Sequence, residues 1–210
     1  MLADLIEKSK LRSDYEYNSL RPQLDPVISK LKAFEATADK DYFEAFSELD
    51  AKKGTILLRE GEISNKFYFM KEGLARLFLH TDNQEITVDF FFASEFIDSY
   101  DSSAIKIPSQ VNIELLMDSS LYVANWDTLR GLKFKYPILA EIERMIVAFY
   151  LRAFQKRIIG FQSLSASERY DQLINLHPYM IHQVPVSQIA SFLGVTIETL
   201  SRIRGKIKPS

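Results

Sequence analysis

The sequence predicts an α+β fold in which helices precede and follow a small antiparallel β unit. Three observations carry that reading. The apolar period changes at Lys53 from helical to short strand-like runs. From Ile138 to Ile159 the chain runs without a glycine or proline. Between Ile189 and Ile207 two short helical patterns are joined by one glycine, Gly194.

At 210 residues, 47% hydrophobic and 26% charged, the chain can bury a core and is not of a disordered composition. It has no cysteine, which excludes disulfides, thiolate-held zinc, iron–sulfur clusters and cysteine nucleophiles together. The three histidines, His80, His177 and His182, are too scattered for a zinc or catalytic constellation. No catalytic residue, metal or cofactor is expected. No apolar run is long enough to span a bilayer, and "MLADLIEKSK" lacks the basic-then-apolar order of a secretory signal, so a cytoplasmic location without membrane contact is expected. The net charge of −2 hides an asymmetry. Residues 165–210 hold Arg169, Arg202, Arg204, Lys206 and Lys208 against Glu168, Asp171 and Glu198, which makes the tail basic.

Taken in order, Asp25-Pro26 suits the start of a helix over "VISKLKAF", and "DKDYFEAFSEL" places Tyr42, Phe43, Phe46 and Leu49 at helical spacing. Over residues 52–126 the runs "GTILLREGE", "KFYFMKEGLARLFLH", "EITVDFFF" and "VNIELLMDSSLYVANW" predict an antiparallel sandwich or barrel. "KEG" reads as a hairpin with Gly73 at positive φ. Next, Ile138, Ile142, Met145 and Phe149 recur at intervals of four, three and four. That is a heptad seam, turning polar at Arg152 and Lys156, and it suits either a dimer contact or packing on the chain's own β unit. Ser165 and Glu168 have capping-box spacing.

The tail carries the functional signal. A helix-turn-helix needs a small residue where its helices touch, a glycine four positions later for the turn, and apolar inner faces. Ala190, Gly194 and Ile189, Leu193, Val195, Leu200 and Ile203 meet these needs, and Thr196 can cap the second helix. Ile197, Glu198, Ser201 and Arg202 then point outward, flanked by Thr199, Arg204 and Lys206. Arginine forks to guanine, hydroxyls bond bases or phosphates, and an apolar tip meets a thymine methyl. Ser187 and Gln188 on the first helix complete the expected DNA-binding set.

"VPVSQIASFLGVTIETLSRIRGKI" resembles the helix-turn-helix of the Crp/Fnr family of bacterial transcription regulators. "KKGTILLREGE" and "YFMKEGLARLF" resemble the cyclic-nucleotide-binding-like barrel of that family, and 138–159 falls where the family has its dimer helix. The resemblance implies a β-barrel or jelly-roll sensor, a long dimerisation helix and a winged helix-turn-helix. Its expected bounds are an N-terminal extension to residue 24, a sensor over 25–134, the dimer helix over 135–160 and the DNA-binding unit over 161–210. It implies a homodimer reading a palindromic operator in successive major grooves through residues 196–206. The family's Glu-Thr pair falls on Glu198 and Thr199 and its later arginine on Arg202, while Ile197 stands where many members have arginine. The expected partners are double-stranded DNA, a second copy of the chain, RNA polymerase and an unidentified small molecule.

Members that bind cyclic AMP carry Gly-Glu and, about nine residues on, Arg-Ser, for the ribose and the phosphate. Here those positions hold Asp98-Ser99 and Pro108-Ser109. Both key side chains are missing, so cyclic AMP is not the expected effector. Ser99, Ser102, Ser103 and Ser109 are the candidates for holding something neutral in an effector pocket. The competing reading is a small-molecule sensor that acts through protein partners without specific DNA binding.

Overall fold

The computed structural model describes residues 1–9 and 24–206. Two helices, α1 (Leu2–Ser9) and α2 (Leu24–Glu35), open the chain, followed by one turn and a half, α3 (Lys40–Glu44). Most of the expected N-terminal extension lies outside the described residues, as do residues 207–210. Glu35 ties the helices together by accepting from the Leu2 amide at 3.0 Å and from the Tyr42 hydroxyl at 3.1 Å. The helical pattern expected through Leu49 ends at Glu44. Leu49 lies instead in a strand, paired opposite Leu121, because the sheet ladder satisfies backbone groups that a short helix end leaves open.

Eight strands follow: β1 (Ser47–Ala51), β2 (Ile56–Leu58), β3 (Lys66–Glu72), β4 (Leu74–His80), β5 (Glu85–Phe92), β6 (Phe96–Ile97), β7 (Asn112–Leu115) and β8 (Ser119–Asn125). They form two four-stranded sheets, β1-β8-β3-β6 and β2-β7-β4-β5, every described pairing antiparallel. This is a double-sheet sandwich of jelly-roll type, and the sheets do not close into a barrel. The expected β3–β4 hairpin is absent, since the two strands belong to different sheets. Gly73 has the predicted positive φ, 134°, but it turns a corner between sheets. A Cβ there would fall 2.5 Å from the Ser119 Cβ, so only glycine fits the corner. The tight hairpin is β4–β5, closed by the Thr81 amide donating to Gln84 O at 2.9 Å. Leu58, Met70, Ala75, Phe91, Ile113, Leu115 and Leu121 fill the space between the sheets.

A short helix, α4 (Tyr100–Ile105), interrupts the strands between β6 and β7. After β8 come α5 (Trp126–Lys135), capped by Asn125 accepting from the Asp127 amide at 2.8 Å, and the long α6 (Ile138–Ser163). The long helix runs through Gly160, where it was expected to end. The remaining elements are α7 (Ala166–Leu176), α8 (Met180–Gln183), α9 (Val186–Phe192) and α10 (Ile197–Lys206). Ser165 and Glu168 make both bonds of the predicted capping box. From residue 164 to 206 the described chain is helical, so no strand of a wing lies among the described residues there.

The predicted seam of α6 faces inward. Ile142 and Phe149 are only 4% and 5% exposed, and Ile138 and Met145 pack with Ile142 against Val27, Ile28, Leu31 and Leu132. In the single chain, Ile138, Ile142, Met145 and Phe149, expected at a contact with a second copy, lie on the side of α6 that is packed against the chain itself. The N-terminal helices supply the apolar partner that the seam needs.

Candidate nucleic-acid interface and sensor cavity

The α9–α10 pair is built as the sequence suggests. Gly194 has φ 65°, its amide donates to Ser191 O at 3.0 Å, and the Val195 amide donates to Ala190 O at 3.0 Å. These two bonds are a Schellman ending for α9, with Gly194 in the left-handed position. Ala190, at the close approach, is buried with Ile189, Leu193, Leu200 and Ile203 in one cluster. The Thr196 hydroxyl accepts from the Thr199 amide at 3.2 Å and so caps α10. The Thr196 and Arg202 side chains also donate to the Thr199 hydroxyl, each at 3.2 Å.

The outer face of α10 matches the predicted set in part. Thr196, Ile197, Glu198, Ser201, Arg202 and Lys206 are exposed, whereas Thr199 and Arg204 are half-buried. The Glu198 carboxyl is held below the usual carboxylate range, chiefly by a backbone N–H and then by Thr196, at the helix N-terminus. Ser187 is exposed on α9, while Gln188 is half-buried with its Oε1 unpartnered.

Sequence reasoning missed the side chains that hold this pair in place. Arg169 of α7 donates to Leu164 O at 2.7 Å and to Leu193 O at 3.0 Å, and lies over the Phe161 ring. Ser191 of α9 accepts from the Thr87 amide of β5 at 2.9 Å. Arg157 of α6 donates to Val88 O, sits 3.5 Å from the Asp89 carboxylate, and stacks 4.0 Å from the Phe192 ring centroid. Phe90 and Phe92 of β5 share a core with Tyr170, Met180, Val184 and Leu193. The helix pair is therefore docked on the β5 side of the sandwich. Nothing local marks these residues, because each makes a contact across 24 or more positions of sequence, up to 104 for Ser191.

The four candidate pocket serines are spent on the fold. Ser102 and Ser103 are buried on α4. The Ser102 hydroxyl accepts from the Ser64 amide at 2.7 Å, and Ser103 donates to Asp98 at 2.5 Å. Ser109 donates to Val111 O at 2.8 Å and faces Ser99 at 3.3 Å. They pin α4 to the loop before β3, and none of them lines the cavity between the sandwich and α6. Buried hydroxyls are satisfied within the fold where partners are at hand.

The cavity lies elsewhere, between β3 to β6 of the sandwich, α5, α6 and the N-terminal helices. Its volume is about 490 Å³, within the range of small-molecule sites. Asp89, Asp98, Lys133 and Glu143 are its charged wall residues. Lys133 is taken by Glu143 at 2.6 Å. Burial pushes Asp89 and Asp98 each up to about 6, opposed at Asp89 by Arg157 and at Asp98 by Ser103. The nearby Trp126 indole adds a slight pull on Asp98 without making a hydrogen bond to it. No group of three or more metal-ligating side chains occurs among the described residues.

A family model of the cyclic nucleotide-binding domain matches residues 48–136, the span of the sandwich and α5. No curated protein matches the chain. Solved structures do. A regulator described as of the Crp/Fnr family from Eubacterium rectale aligns with TM-score 0.68 and 18% identity over 84% of this chain and 89% of its own. FixK2 from Bradyrhizobium japonicum gives 0.63 and 17%, covering 77% and 83%. A CooA mutant from Carboxydothermus hydrogenoformans gives 0.62 and 17%, covering 85% and 83%. Residues 48–136 are thus a domain of the cyclic nucleotide-binding class. Joined to a long helix and a helix-turn-helix, it gives the chain the fold of the Crp/Fnr transcription regulators.

Proposed function

We propose that this protein is a transcription regulator of the Crp/Fnr type, bound to DNA as a homodimer through α10. The observation that carries the reading is the α9–α10 pair itself. A glycine-jointed, threonine-capped second helix presents Ile197, Glu198, Ser201, Arg202 and Lys206 outward while its inner face is buried. Arg202 is the candidate for a guanine or phosphate, Glu198 for a cytosine amino group and Ile197 for a thymine methyl. The domains are proposed as sensor, long helix and DNA-binding unit in that order.

The dimer contact is proposed on a second heptad of α6. Val147, Leu151, Phe154, Ile158 and Phe161 recur at four, three, four and three, and all but Val147 are exposed. Gel shift against selected random duplexes tests the reading. A two-fold symmetric site and a steep salt dependence are expected. Arg202→Ala should lower affinity about tenfold, since a good base contact contributes about 1–3 kcal/mol. Retention of full affinity and an unchanged salt slope in Arg202→Ala with Lys206→Ala would show that α10 is not the reading head. Binding to a protein partner with no DNA affinity would favour a sensor that works through proteins.

The effector is proposed not to be cyclic AMP. Ser99 and Pro108 occupy the positions where the family's glutamate and arginine would serve the ribose and the phosphate. Arg76, a cation inside the sandwich domain, is consumed by Glu114 at 2.8 Å and Glu85 at 2.7 Å.

A further inference from the structure

We infer that the cavity between the β4–β5 sheet and α6 binds an apolar, uncharged small molecule that carries one hydroxyl or amide group. This deepens the proposed sensor role and does not depend on DNA binding. The walls come from Leu77 and Phe91 of the sheet, Phe67 and Trp126, and Ile146 and Tyr150 of α6, so the body of an occupant meets rings and aliphatic groups. An apolar cavity of this size is filled favourably by matching apolar surface.

Two polar atoms of the wall have no partner in the structure. Asp98 Oδ1 is buried and unbonded, because Ser103 takes the other carboxylate oxygen. Trp126 Nε1 is likewise buried without an acceptor. A buried donor and a buried acceptor left open are costly, and the residues that carry them, Asp98 and Trp126, both line the cavity. A hydroxyl can donate to Oδ1 and accept from Nε1 at once, and so can an amide through its two ends.

Charge sets the rest of the selectivity. Asp89, Asp98 and Glu143 face the cavity against Lys133 alone, and Lys133 is already paired. An anionic ligand would add a like charge inside a half-enclosed site. Phosphates, sulfonates and carboxylates are therefore selected against, and so is a cyclic nucleotide.

The test uses two dyes that share one ring system. N-phenyl-1-naphthylamine is neutral and has an N–H donor, and 8-anilinonaphthalene-1-sulfonate adds a sulfonate. Trp126 is the only tryptophan of the chain, so energy transfer from it reports occupancy of this wall. With the full-length protein at pH 7.5, the neutral dye should quench Trp126 at one site per chain and bind at least tenfold more tightly than the sulfonate. Asp98→Asn should narrow that gap at least threefold. Ile158→Asp, which alters the exposed face of α6 outside the cavity, should leave the neutral dye bound.

Equal or tighter binding of the sulfonate to the wild-type protein overturns the inference, and that comparison needs no variant to fold. So does loss of the neutral dye in Ile158→Asp, which would place it on the helix surface. So does displacement of the neutral dye by low micromolar cyclic AMP. Failure of DNA binding, by contrast, leaves these outcomes untouched.

Discussion

Ile158→Asp separates the two heptads of α6. Leu151, Phe154 and Ile158 are 60%, 45% and 58% exposed in the single chain. Fully burying a large apolar side chain contributes about 1.5–3 kcal/mol, so covering the exposed half of each contributes roughly 0.8–1.5 kcal/mol. Six such side chains in a symmetric pair supply about 5–9 kcal/mol before the cost of association. Ile158→Asp removes two of the six, about 1.5–3 kcal/mol, and sets two carboxylates at the contact. The dimer Kd should therefore rise at least about tenfold, and sedimentation velocity over a concentration series measures it. Ile142→Ala should behave oppositely. It empties a site at 4% exposure, costs about 2–5 kcal/mol of folding stability, and leaves the Kd unchanged. An unchanged Kd in Ile158→Asp, or dissociation in Ile142→Ala without loss of stability, would refute this placement of the contact.

Gly194→Ala should lose about 1–2 kcal/mol in chemical denaturation, because φ 65° disfavours a side chain and the new Cβ would sit 3.3 Å from the Phe161 ring. Arg169→Ala should cost about 2–3 kcal/mol and weaken DNA binding together, since it removes two carbonyl contacts at the α7–α9 junction. Burial pushes the His177 imidazole, stacked 3.4 Å on Phe92, down to about 4. A lowered histidine contributes stability that is full above about pH 6.5 and is lost as pH falls toward 4, roughly 3 kcal/mol in all. Asp89 and Asp98, raised to about 6, act with the opposite sign over the same window. The denaturation midpoint of His177→Leu should accordingly gain on the wild type as pH falls from 6.5 to 4, and parallel pH curves would sink the assignment.

What could be read in advance was what neighbours in sequence decide. The capping box at Ser165, the Gly194 turn, the Thr196 cap and the sandwich strands each follow from residues within a few positions of one another. What could not be read depends on partners far away. The 138/142/145/149 seam was legible as a seam, but which surface it meets is set by α1 and α2, about 110 positions upstream. Gly73 was legible as a positive-φ glycine, yet a hairpin and a sheet-to-sheet corner ask the same of φ and differ only in where the following strand pairs. The serine cluster near α4 was legible as polar, and the backbone amides that claim it come from a loop some 40 positions earlier.

The cavity and the helix pair meet at one carboxylate. Asp89 forms part of the cavity wall and also faces Arg157, whose guanidinium reaches Val88 O and the Phe192 ring of α9. A ligand can shift a conformational equilibrium only through contacts that differ between states. An occupant that draws Asp89 inward weakens the Arg157 contact, and with it the seat of α9 on β5. An occupant that fills the cavity without touching Asp89 leaves that seat intact. Arg157→Ala should therefore raise hydrogen exchange at the Thr87 amide, which Ser191 otherwise protects, and should make that exchange insensitive to cavity occupancy. Unchanged Thr87 protection in Arg157→Ala would mean that the shared apolar core, and not this bridge, joins the two units.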